Sequence, residues 1–169
     1  MSTENLSNQE AIEKLQSIVN SIDIGMLSTF QKDEPYPYIV PMSRQEVDDQ
    51  GQIWIMLSSE SKTYQNLQKN NKLTITYADP KNYCFLTISG TGKLLRNQAQ
   101  IDKYWNKMME AWFNEGQNDP KIQLLCINPE DVYYWDSKSN KIVTLFKVAA
   151  NAIAGQDFDI GRDGNLNIG

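Results

Sequence analysis

The hydrophobic positions of the chain change their spacing several times, and each spacing predicts a different element. Near the N-terminus, apolar residues recur every three or four positions, which is typical of a helix with one apolar stripe. The stripe consists of Ile12, Leu15, Ile18, Val19 and Ile22. Ser7 and Glu10, directly before it, fit a capping box at the helix start. We therefore expect this helix to lie against an apolar surface.

Further along the chain, short apolar runs bounded by turn residues predict a series of β-strands. The runs are 24–30, 36–47, 52–57, 73–77, 83–95, 122–127 and 132–135, with a further one at 141–147. Pro37 and Pro41 predict an edge or a bulge in the second strand. Gly90 and Gly92 predict a bend in the fifth strand. Residues 48–51 predict a hairpin turn.

Helices are few in this pattern. Besides the first helix, the sequence predicts a long helix over 98–113 with a broad apolar and aromatic face, and a short one over 64–70. A parallel sheet would need a helical crossover between most of its strand pairs. We therefore predict a mainly β (α+β) fold, a closed antiparallel barrel of six or seven strands with flanking helices. Residues 1–153 form this domain, and the Gly-, Asn- and Asp-rich residues 154–169 form a polar, mobile tail.

The charge balance and the apolar content narrow the classes of partner. The chain has a net charge of −5 and a pI near 4.8, whereas nucleic-acid-binding proteins usually carry a basic face. No apolar run approaches the roughly 20 residues that span a bilayer. The N-terminus has neither the basic start nor the apolar core of a signal peptide. We therefore expect a cytoplasmic protein without a nucleic-acid or membrane partner.

The chain contains no histidine, which excludes several kinds of catalytic site. A Ser-His-Asp triad, a Cys-His pair, a histidine general base and an H-E-x-x-H zinc helix are all impossible. Cys84 and Cys126 lie in strand-like apolar runs outside any C-x-x-C pattern, which predicts buried structural thiols and no metal site. Any chemistry is therefore expected to come from a bound cofactor, and no side chain is predicted to be catalytic.

A cluster of hydroxyl groups and one lysine follows the third predicted strand, directly before the short helix. It comprises Ser58, Ser59, Ser61, Lys62 and Thr63. A helix start exposes unpaired N–H groups and the positive end of the helix dipole, so these side chains predict a phosphate site. A plain serine N-cap is the alternative interpretation. Glu60, within the cluster, opposes an anion unless its side chain points outward.

Motifs spread along nearly the whole chain carry a resemblance to a known family. They are the segments 26–29, 40–42, 53–62, 77–80, 88–92, 101–105, 111–113, 118–120 and 133–136. In this order they resemble the FMN-binding split barrels related to pyridoxamine 5′-phosphate oxidase. The run from 101 to 136 resembles the general stress proteins within that family.

The resemblance implies a split-barrel homodimer that binds FMN in the clefts between two barrels. The cofactor-binding residues that it implies are Pro41, Met42, Ser43, Ser58, Ser61, Lys62, Thr63 and Trp135. Of these residues, the resemblance places four around the phosphate: Ser58, Ser61, Lys62 and Thr63. Residues 41–43 approach the isoalloxazine ring with their backbone, and the tryptophan comes from the partner chain. Trp112 is a second aromatic candidate for the flavin wall, with core packing as the alternative.

Two departures from the family pattern limit what the resemblance implies. Thr63 and Val40 stand where family members have basic residues, and Arg44 is a candidate to replace the lost charge. Lys141 and Val143 stand where the true oxidases have an Arg-x-His pair that holds the substrate. We therefore predict an FMN-dependent oxidoreductase of unknown substrate that is not a true pyridoxamine phosphate oxidase. A non-catalytic flavin store or sensor and a cofactor-free dimeric scaffold are the alternatives.

Overall fold

The computed structural model of the 169-residue chain describes residues 2–3, 6–31, 34–136 and 162–167. Its strands are β1 (Ser2–Thr3), β2 (Leu6–Ser7), β3 (Ile24–Thr29), β4 (Tyr38–Val47), β5 (Ile53–Ser58), β6 (Lys72–Asp79), β7 (Cys84–Leu95), β8 (Ile122–Asp136) and β9 (Arg162–Asn167). Its helices are α1 (Asn8–Ser21), α2 (Lys62–Lys69) and α3 (Gln98–Tyr104), with short 3₁₀ turns at Lys107–Ala111 and Gly116–Asn118. No helix in these ranges is long and apolar enough to cross a bilayer. The predicted run at 141–147 lies outside the described residues.

Six strands close into an antiparallel barrel in the order β8-β5-β4-β3-β6-β7, and β7 pairs with β8 to complete the ring. β9 lies outside this ring, along the end of β8 that β5 does not cover, and β1 and β2 pair with β9 in parallel. Alternate residues of the barrel strands point inward and form an apolar core. Its fully buried members include Leu27, Ile55, Ile75, Ile88 and Ile127. The predicted antiparallel barrel with flanking helices is therefore confirmed.

Helix α1 closes one end of the barrel with the apolar stripe predicted from the sequence. Leu15, Ile18 and Val19 are at most 3% exposed and pack in the same core as the barrel strands. Arg44 of β4 holds the C-terminal end of this helix. Its Nε donates to the Val19 carbonyl (2.7 Å) and its Nη2 to the Asn20 carbonyl (2.8 Å). These carbonyls lack partners within the helix, so the guanidinium also meets the negative end of the helix dipole.

Helix α2 covers the opposite end of the barrel. Its inner stripe consists of Thr63, Asn66 and Leu67, which are at most 6% exposed. Asn66 donates to the Thr29 hydroxyl (3.1 Å), and this hydroxyl approaches the Tyr38 carbonyl (3.5 Å). Because a buried amide needs a hydrogen-bond partner, this chain of contacts fixes α2 against β3 and β4.

The predicted long helix over 98–113 is wrong in its C-terminal half. Helix α3 ends directly before Trp105, which is extended (φ −62°, ψ 131°). The Asn106 side chain then accepts from the Met108 N–H (3.0 Å) and caps a separate 3₁₀ turn. An asparagine that caps a new turn competes with continuation of the helix. Trp105 and Trp112 therefore do not share one helical face: the first is half-buried, and the second is 81% exposed.

Strand β8 joins two predicted strands, 122–127 and 132–135, into one. It stays continuous because β7 pairs with it over most of its length, with a register shift between Ser89 and Gly90. At this shift the backbones approach so closely that a Cβ on Gly90 would lie 2.1 Å from the Asn128 carbonyl oxygen. β7, for which the sequence predicts a bend at Gly90 and Gly92, therefore has a register shift at Gly90, where the absence of a side chain permits the contact.

Part of the C-terminal segment is built into the sheet. β9 pairs antiparallel with the last four residues of β8. Leu166 is 3% exposed and packs in the core with α1. The expectation of a mobile tail is therefore wrong for residues 162–167. Residues 154–161 lie outside the described ranges, and the division at residue 153 stays a prediction.

Both cysteines are buried and free, as the sequence predicts. Burial raises the pKa of Cys84 and of Cys126 to about 11, from an ordinary value of 9.0. Neither side chain is therefore a thiolate at neutral pH, which agrees with a structural role.

The barrel core holds a tyrosine whose hydroxyl has no hydrogen-bond partner among the described residues, Tyr77. Burial raises the pKa of this hydroxyl well above its ordinary range. Because an unpaired buried hydroxyl destabilises a protein by about 1–3 kcal/mol, Tyr77→Phe is expected to raise the free energy of unfolding by about 1 kcal/mol in urea titrations. Tyr104→Phe is the matched control, since Tyr104 donates to Glu46 (2.5 Å) and its loss should lower that free energy. Destabilisation by both variants would show that the Tyr77 hydroxyl is paired.

Candidate functional site

The barrel opens between β4 and β5. The two strands pair only at residues 44–47 and 53–55. Nearer α2, and within the part of the chain that the structure describes, residues 38–43 pair with β3 alone and residues 56–58 pair with β8 alone. Among these residues one edge of β4 therefore faces a gap without a strand partner, and Pro41 lies in this stretch. The edge that the prolines predict is confirmed.

Helix α2 begins beside this gap. β5 ends at Ser58, and the helix starts at Lys62. The Lys62 ammonium lies 5.3 Å from the centroid of the Tyr38 ring. Since Tyr38 is the first residue of β4, this contact places the helix start next to the unpaired strand edge.

The hydroxyls of two serines hold the turn between β5 and α2. Ser61 donates to the Ser58 carbonyl (2.7 Å) and accepts from the Tyr64 N–H (3.2 Å), so its hydroxyl is the helix N-cap. The Ser58 hydroxyl accepts from the Glu60 N–H (3.1 Å), and no residue in the described ranges accepts its hydrogen. The N-cap interpretation is therefore confirmed for Ser61, while Ser58 keeps a donor for a ligand.

Two backbone donors remain at the helix start. The N–H groups of Lys62 and Thr63 have no acceptor in the part of the chain that the structure describes, as expected for a first helical turn. Thr63 as a whole residue is 1% exposed and belongs to the inner stripe of α2, so both its hydroxyl and its N–H are covered. The Ser58 hydroxyl, the Lys62 ammonium and the N–H of the exposed Lys62 form a donor set that fits a phosphate.

The charges around the turn favour an anion at Lys62. Glu60 is exposed and forms an ion pair with Lys121 (3.0 Å), which raises the pKa of Lys121. The Lys121 ammonium, and not Lys62, thus compensates the negative charge of Glu60. Lys62 itself forms no ion pair with any carboxylate in the described ranges. Arg44 is bound to the carbonyls at the end of α1, so it does not supply the second cation that the sequence suggested.

The family to which the chain belongs is settled by a match over most of its length. A family model described as pyridoxamine 5′-phosphate oxidase like matches residues 10–159. The chain belongs to the pyridoxamine 5′-phosphate oxidase-like family. General stress protein 26 of Bacillus subtilis (strain 168) is 23% identical to it over 143 residues, which cover 83% of this chain and 99% of that protein. The resemblance seen in the sequence motifs is confirmed.

Solved structures of similar proteins share the fold. A general stress protein 26 from Jannaschia sp. CCS1 superposes with a TM-score of 0.74 at 21% identity, over 94% of this chain and 98% of that chain. A general stress protein from Xanthomonas citri, described as FMN/FAD binding, has a TM-score of 0.65 at 24% identity, over 79% of this chain and 93% of that chain. At these identities the likeness shows the split-barrel fold.

The sequence-predicted site residues of this pyridoxamine 5′-phosphate oxidase-like chain fall into separate places. Ser58, Ser61 and Lys62 lie together at the start of α2, beside the gap. On β4, Pro41 and Ser43 are exposed, whereas Met42 is half-buried and packs against the core. The structure thus presents residues 41 and 43 on the outside of the barrel, and the Met42 side chain serves the core.

Trp135 lies far along β8 from the residues beside the helix start. Ser58 is in register with Ile122, thirteen residues before Trp135 on β8. Along a strand this separation is a contour length of about 40 Å. Trp135 is 43% exposed and contacts the Tyr133 ring edge-on, with centroids 5.0 Å apart. Trp135 thus lies toward the opposite end of β8 from the residue that is in register with Ser58.

Several large apolar side chains stand outward from β3, β4, β7 and β8, and we call this surface the outer apolar face. It consists of Ile24, Met26, Ile39, Pro41, Phe85 and Trp135. Register places them in two pairs, Met26 opposite Pro41 on β3 and β4, and Phe85 opposite Trp135 on β7 and β8, with β6 between the two strand pairs. The exposed fractions of Met26 and Phe85 are 46% and 37%. Large apolar side chains exposed in this way are typical of an interaction site.

Sequence reasoning missed both this face and Tyr38. A weak signal for the face exists in β3, where Ile24 and Met26 alternate with the buried Gly25 and Leu27, so that both sides of the strand carry apolar residues. No signal marks Tyr38, because its contact with Lys62 joins two elements that are separated by β5. A strand pattern predicts the side on which a residue lies but does not predict its partner.

Proposed function

We propose that this protein binds FMN at the gap between β4 and β5, beside the start of α2, and acts as a flavin-dependent oxidoreductase of the general stress type. The observation that carries the proposal is the donor set at the start of α2, where the Ser58 hydroxyl, the Lys62 ammonium and the Lys62 N–H lie beside a strand edge that has no partner among the described residues. The FMN/FAD-binding description of the Xanthomonas citri neighbour supports a flavin as the ligand.

Each part of the gap has a role in this proposal. A terminal phosphate offers three acceptor oxygens and close to two negative charges, which suits several N–H and O–H donors with one ammonium. The β4 backbone at residues 41–43 offers hydrogen-bonding groups to the polar edge of a flat ring, with Pro41 limited to its C=O because proline has no N–H. When bound, the flavin supplies the hydride or electron transfer, so the protein contributes binding, orientation and exclusion of water.

The proposal includes a homodimer in which the outer apolar faces of two chains meet. These residues are apolar and exposed in one chain, and a second copy would remove them from water. Trp135 belongs to this face and lies thirteen residues along β8 from Ile122, the residue in register with Ser58. In the proposed dimer it contacts the flavin held by the partner.

A non-catalytic flavin store or sensor is the second candidate. The chain has no histidine. Glu46, whose pKa is lowered by hydrogen bonds from Lys103 and Tyr104, lies on the part of β4 that pairs with β5, away from the gap. No acid or base of the described ranges is therefore assigned to the proposed flavin site. Reduction of the bound flavin by a nicotinamide donor, followed by reoxidation with turnover, supports the enzyme; retention of flavin without turnover supports the store or sensor.

Two narrower parts of the proposal rest on the sequence. Lys141 and Val143, which replace the substrate-holding Arg-x-His pair, lie outside the described residues, and we propose on this ground that pyridoxamine phosphate is not the substrate. An assay for pyridoxal phosphate production with FMN supplied tests this point. A cytoplasmic location is the second of these parts.

Lys62→Met tests the phosphate placement. A charge-assisted hydrogen bond contributes about 1.5–3 kcal/mol, so we expect the FMN dissociation constant to rise at least about tenfold. Riboflavin lacks the phosphate, and its affinity should not change. Flavin fluorescence titration measures both constants, and Lys69→Met, at the other end of the same helix, is the matched control. Equal FMN affinity in Lys62→Met and the unmodified chain would refute the placement.

A visible spectrum of the purified protein tests whether it binds flavin at all. The spectrum is taken before and after addition of FMN and removal of the unbound fraction. Retained flavin bands support both candidates above. A protein that retains no flavin contradicts both, and the cofactor-free dimeric scaffold then remains.

A further inference from the structure

We infer that Tyr38 is a positioning residue for the phosphate site, because its ring holds the Lys62 ammonium at the start of α2. The inference rests on the proposed function. The Lys62 Nζ lies 5.3 Å from the centroid of the Tyr38 ring. This distance is within the range of about 6 Å over which an ammonium is attracted to an aromatic face.

Lys62 needs such a contact to stay at the helix start. It is the first residue of α2, where the positive end of the helix dipole disfavours a cation. Its long side chain also has many rotamers, and ordering them on ligand binding weakens affinity. No carboxylate in the described ranges pairs with it. The Tyr38 ring is the contact that counteracts both effects.

The structure fixes both members of this pair through one buried link. Asn66 lies one helical turn after Lys62 and donates to the Thr29 hydroxyl (3.1 Å). Thr29 is in register with Tyr38, and its hydroxyl approaches the Tyr38 carbonyl (3.5 Å). The helix that carries the lysine and the strand that carries the ring are therefore held to the same buried threonine.

The orientation of this single lysine matters because neighbouring cations are engaged elsewhere. Arg44 donates to the carbonyls at the end of α1, and Lys121 pairs with Glu60. Val40 carries no charge. Affinity for a phosphate then depends on how well Lys62 is placed, and Tyr38 acts through Lys62 rather than on the ligand itself.

The test compares FMN and riboflavin binding, by fluorescence titration, in Tyr38→Leu and Tyr38→Phe. Loss of the ring is expected to weaken FMN about threefold and to leave riboflavin unchanged. Phenylalanine keeps the aromatic face, so Tyr38→Phe should bind FMN like the unmodified chain. Tyr36→Leu is the matched control, since Tyr36 is 78% exposed.

A double variant shows whether Tyr38 acts through Lys62. In a Lys62→Met background, Tyr38→Leu should have no further effect on FMN affinity. A second readout needs no flavin: the Tyr38 ring current should shift the Lys62 ε-methylene proton signals upfield, and Tyr38→Leu should abolish this shift.

The outcomes separate this inference from the proposed function. If Lys62→Met weakens FMN binding and Tyr38→Leu does not, the phosphate site stands and the positioning role is overturned. The role is also overturned if Tyr38→Leu weakens riboflavin as much as FMN, or weakens FMN equally in the Lys62→Met background. If the unmodified protein binds no flavin, the proposed function fails, and the role of Tyr38 fails with it.

Discussion

Gly90→Ala is expected to lower the free energy of unfolding by about 3 kcal/mol, because the new Cβ would meet backbone atoms. It would lie 2.1 Å from the Asn128 carbonyl oxygen and 3.2 Å from the Pro129 Cα. These atoms belong to β8, whose pairing with β7 closes the barrel, so they cannot move aside without disturbing that closure. Overpacking typically destabilises by about 1–3 kcal/mol, and contact with backbone places this variant at the upper end. The shift of the urea midpoint at constant m measures the loss.

Gly92→Ala, two residues later on the same strand, is the matched control. There a Cβ would meet the ends of two leucine side chains, 2.7 Å from the Leu125 Cδ1 and 3.0 Å from the Leu73 Cδ2. Side-chain ends can rotate away, so we expect a smaller loss of about 1 kcal/mol. If Gly90→Ala were no more destabilising than Gly92→Ala, the close approach of the two backbones would not be the reason.

Met26→Glu combined with Phe85→Glu is expected to convert the proposed homodimer into a monomer. Both residues belong to the outer apolar face, which the proposal buries between two chains. A twofold interface would then contain four carboxylates without partners, and burying an unpaired charge is strongly unfavourable. We expect the dimer dissociation constant to rise about a thousandfold, which corresponds to about 4 kcal/mol. Sedimentation equilibrium over a range of concentrations measures it.

Met108→Glu is the control for this experiment. Met108 is 79% exposed on the 3₁₀ turn after α3 and lies outside the outer apolar face. The variant adds the same charge and should remain dimeric. A dimer that survives the Met26 and Phe85 changes would locate the interface elsewhere, and a monomeric unmodified protein would refute the homodimer. FMN binding should weaken in the monomeric variant, because the partner's Trp135 is then absent.

The mainly β fold can be predicted from local patterns in the sequence. β3, β4, β5, β6 and β7 each lie within two residues of their predicted bounds, because alternation of apolar residues and turn signals are properties of short segments. The α1 stripe is predicted for the same reason. The helix over 98–113 is predicted too long because Asn106 caps a new turn, and capping competes locally with a periodicity that spans the whole segment.

The predictions that were wrong or missing concern contacts between segments that are distant in the sequence. A Gly- and Asn-rich stretch indicates a loose tail by composition, yet residues 162–167 pair with the end of β8 that β5 leaves uncovered. Arg44 is a second case of a contact between distant segments. Its position in the sequence suggests a role at the phosphate site. Its guanidinium instead binds two carbonyls of α1, and only the packing of α1 against the barrel brings them within reach.

By itself the sequence determined the element types, the antiparallel barrel, the exclusion of histidine chemistry and the family motifs, because each depends on residue identity and on spacing within short segments. It also located the helix start with Ser58, Ser61 and Lys62, since capping is local. Only the tertiary structure decided which of these groups remain available to a ligand. Thr63 is buried, Arg44 binds the end of α1, and Glu60 pairs with Lys121. The end of β4 separates from β5, and the Tyr38 ring lies next to the Lys62 ammonium. These outcomes depend on strand register and helix docking, which bring together residues far apart in the chain.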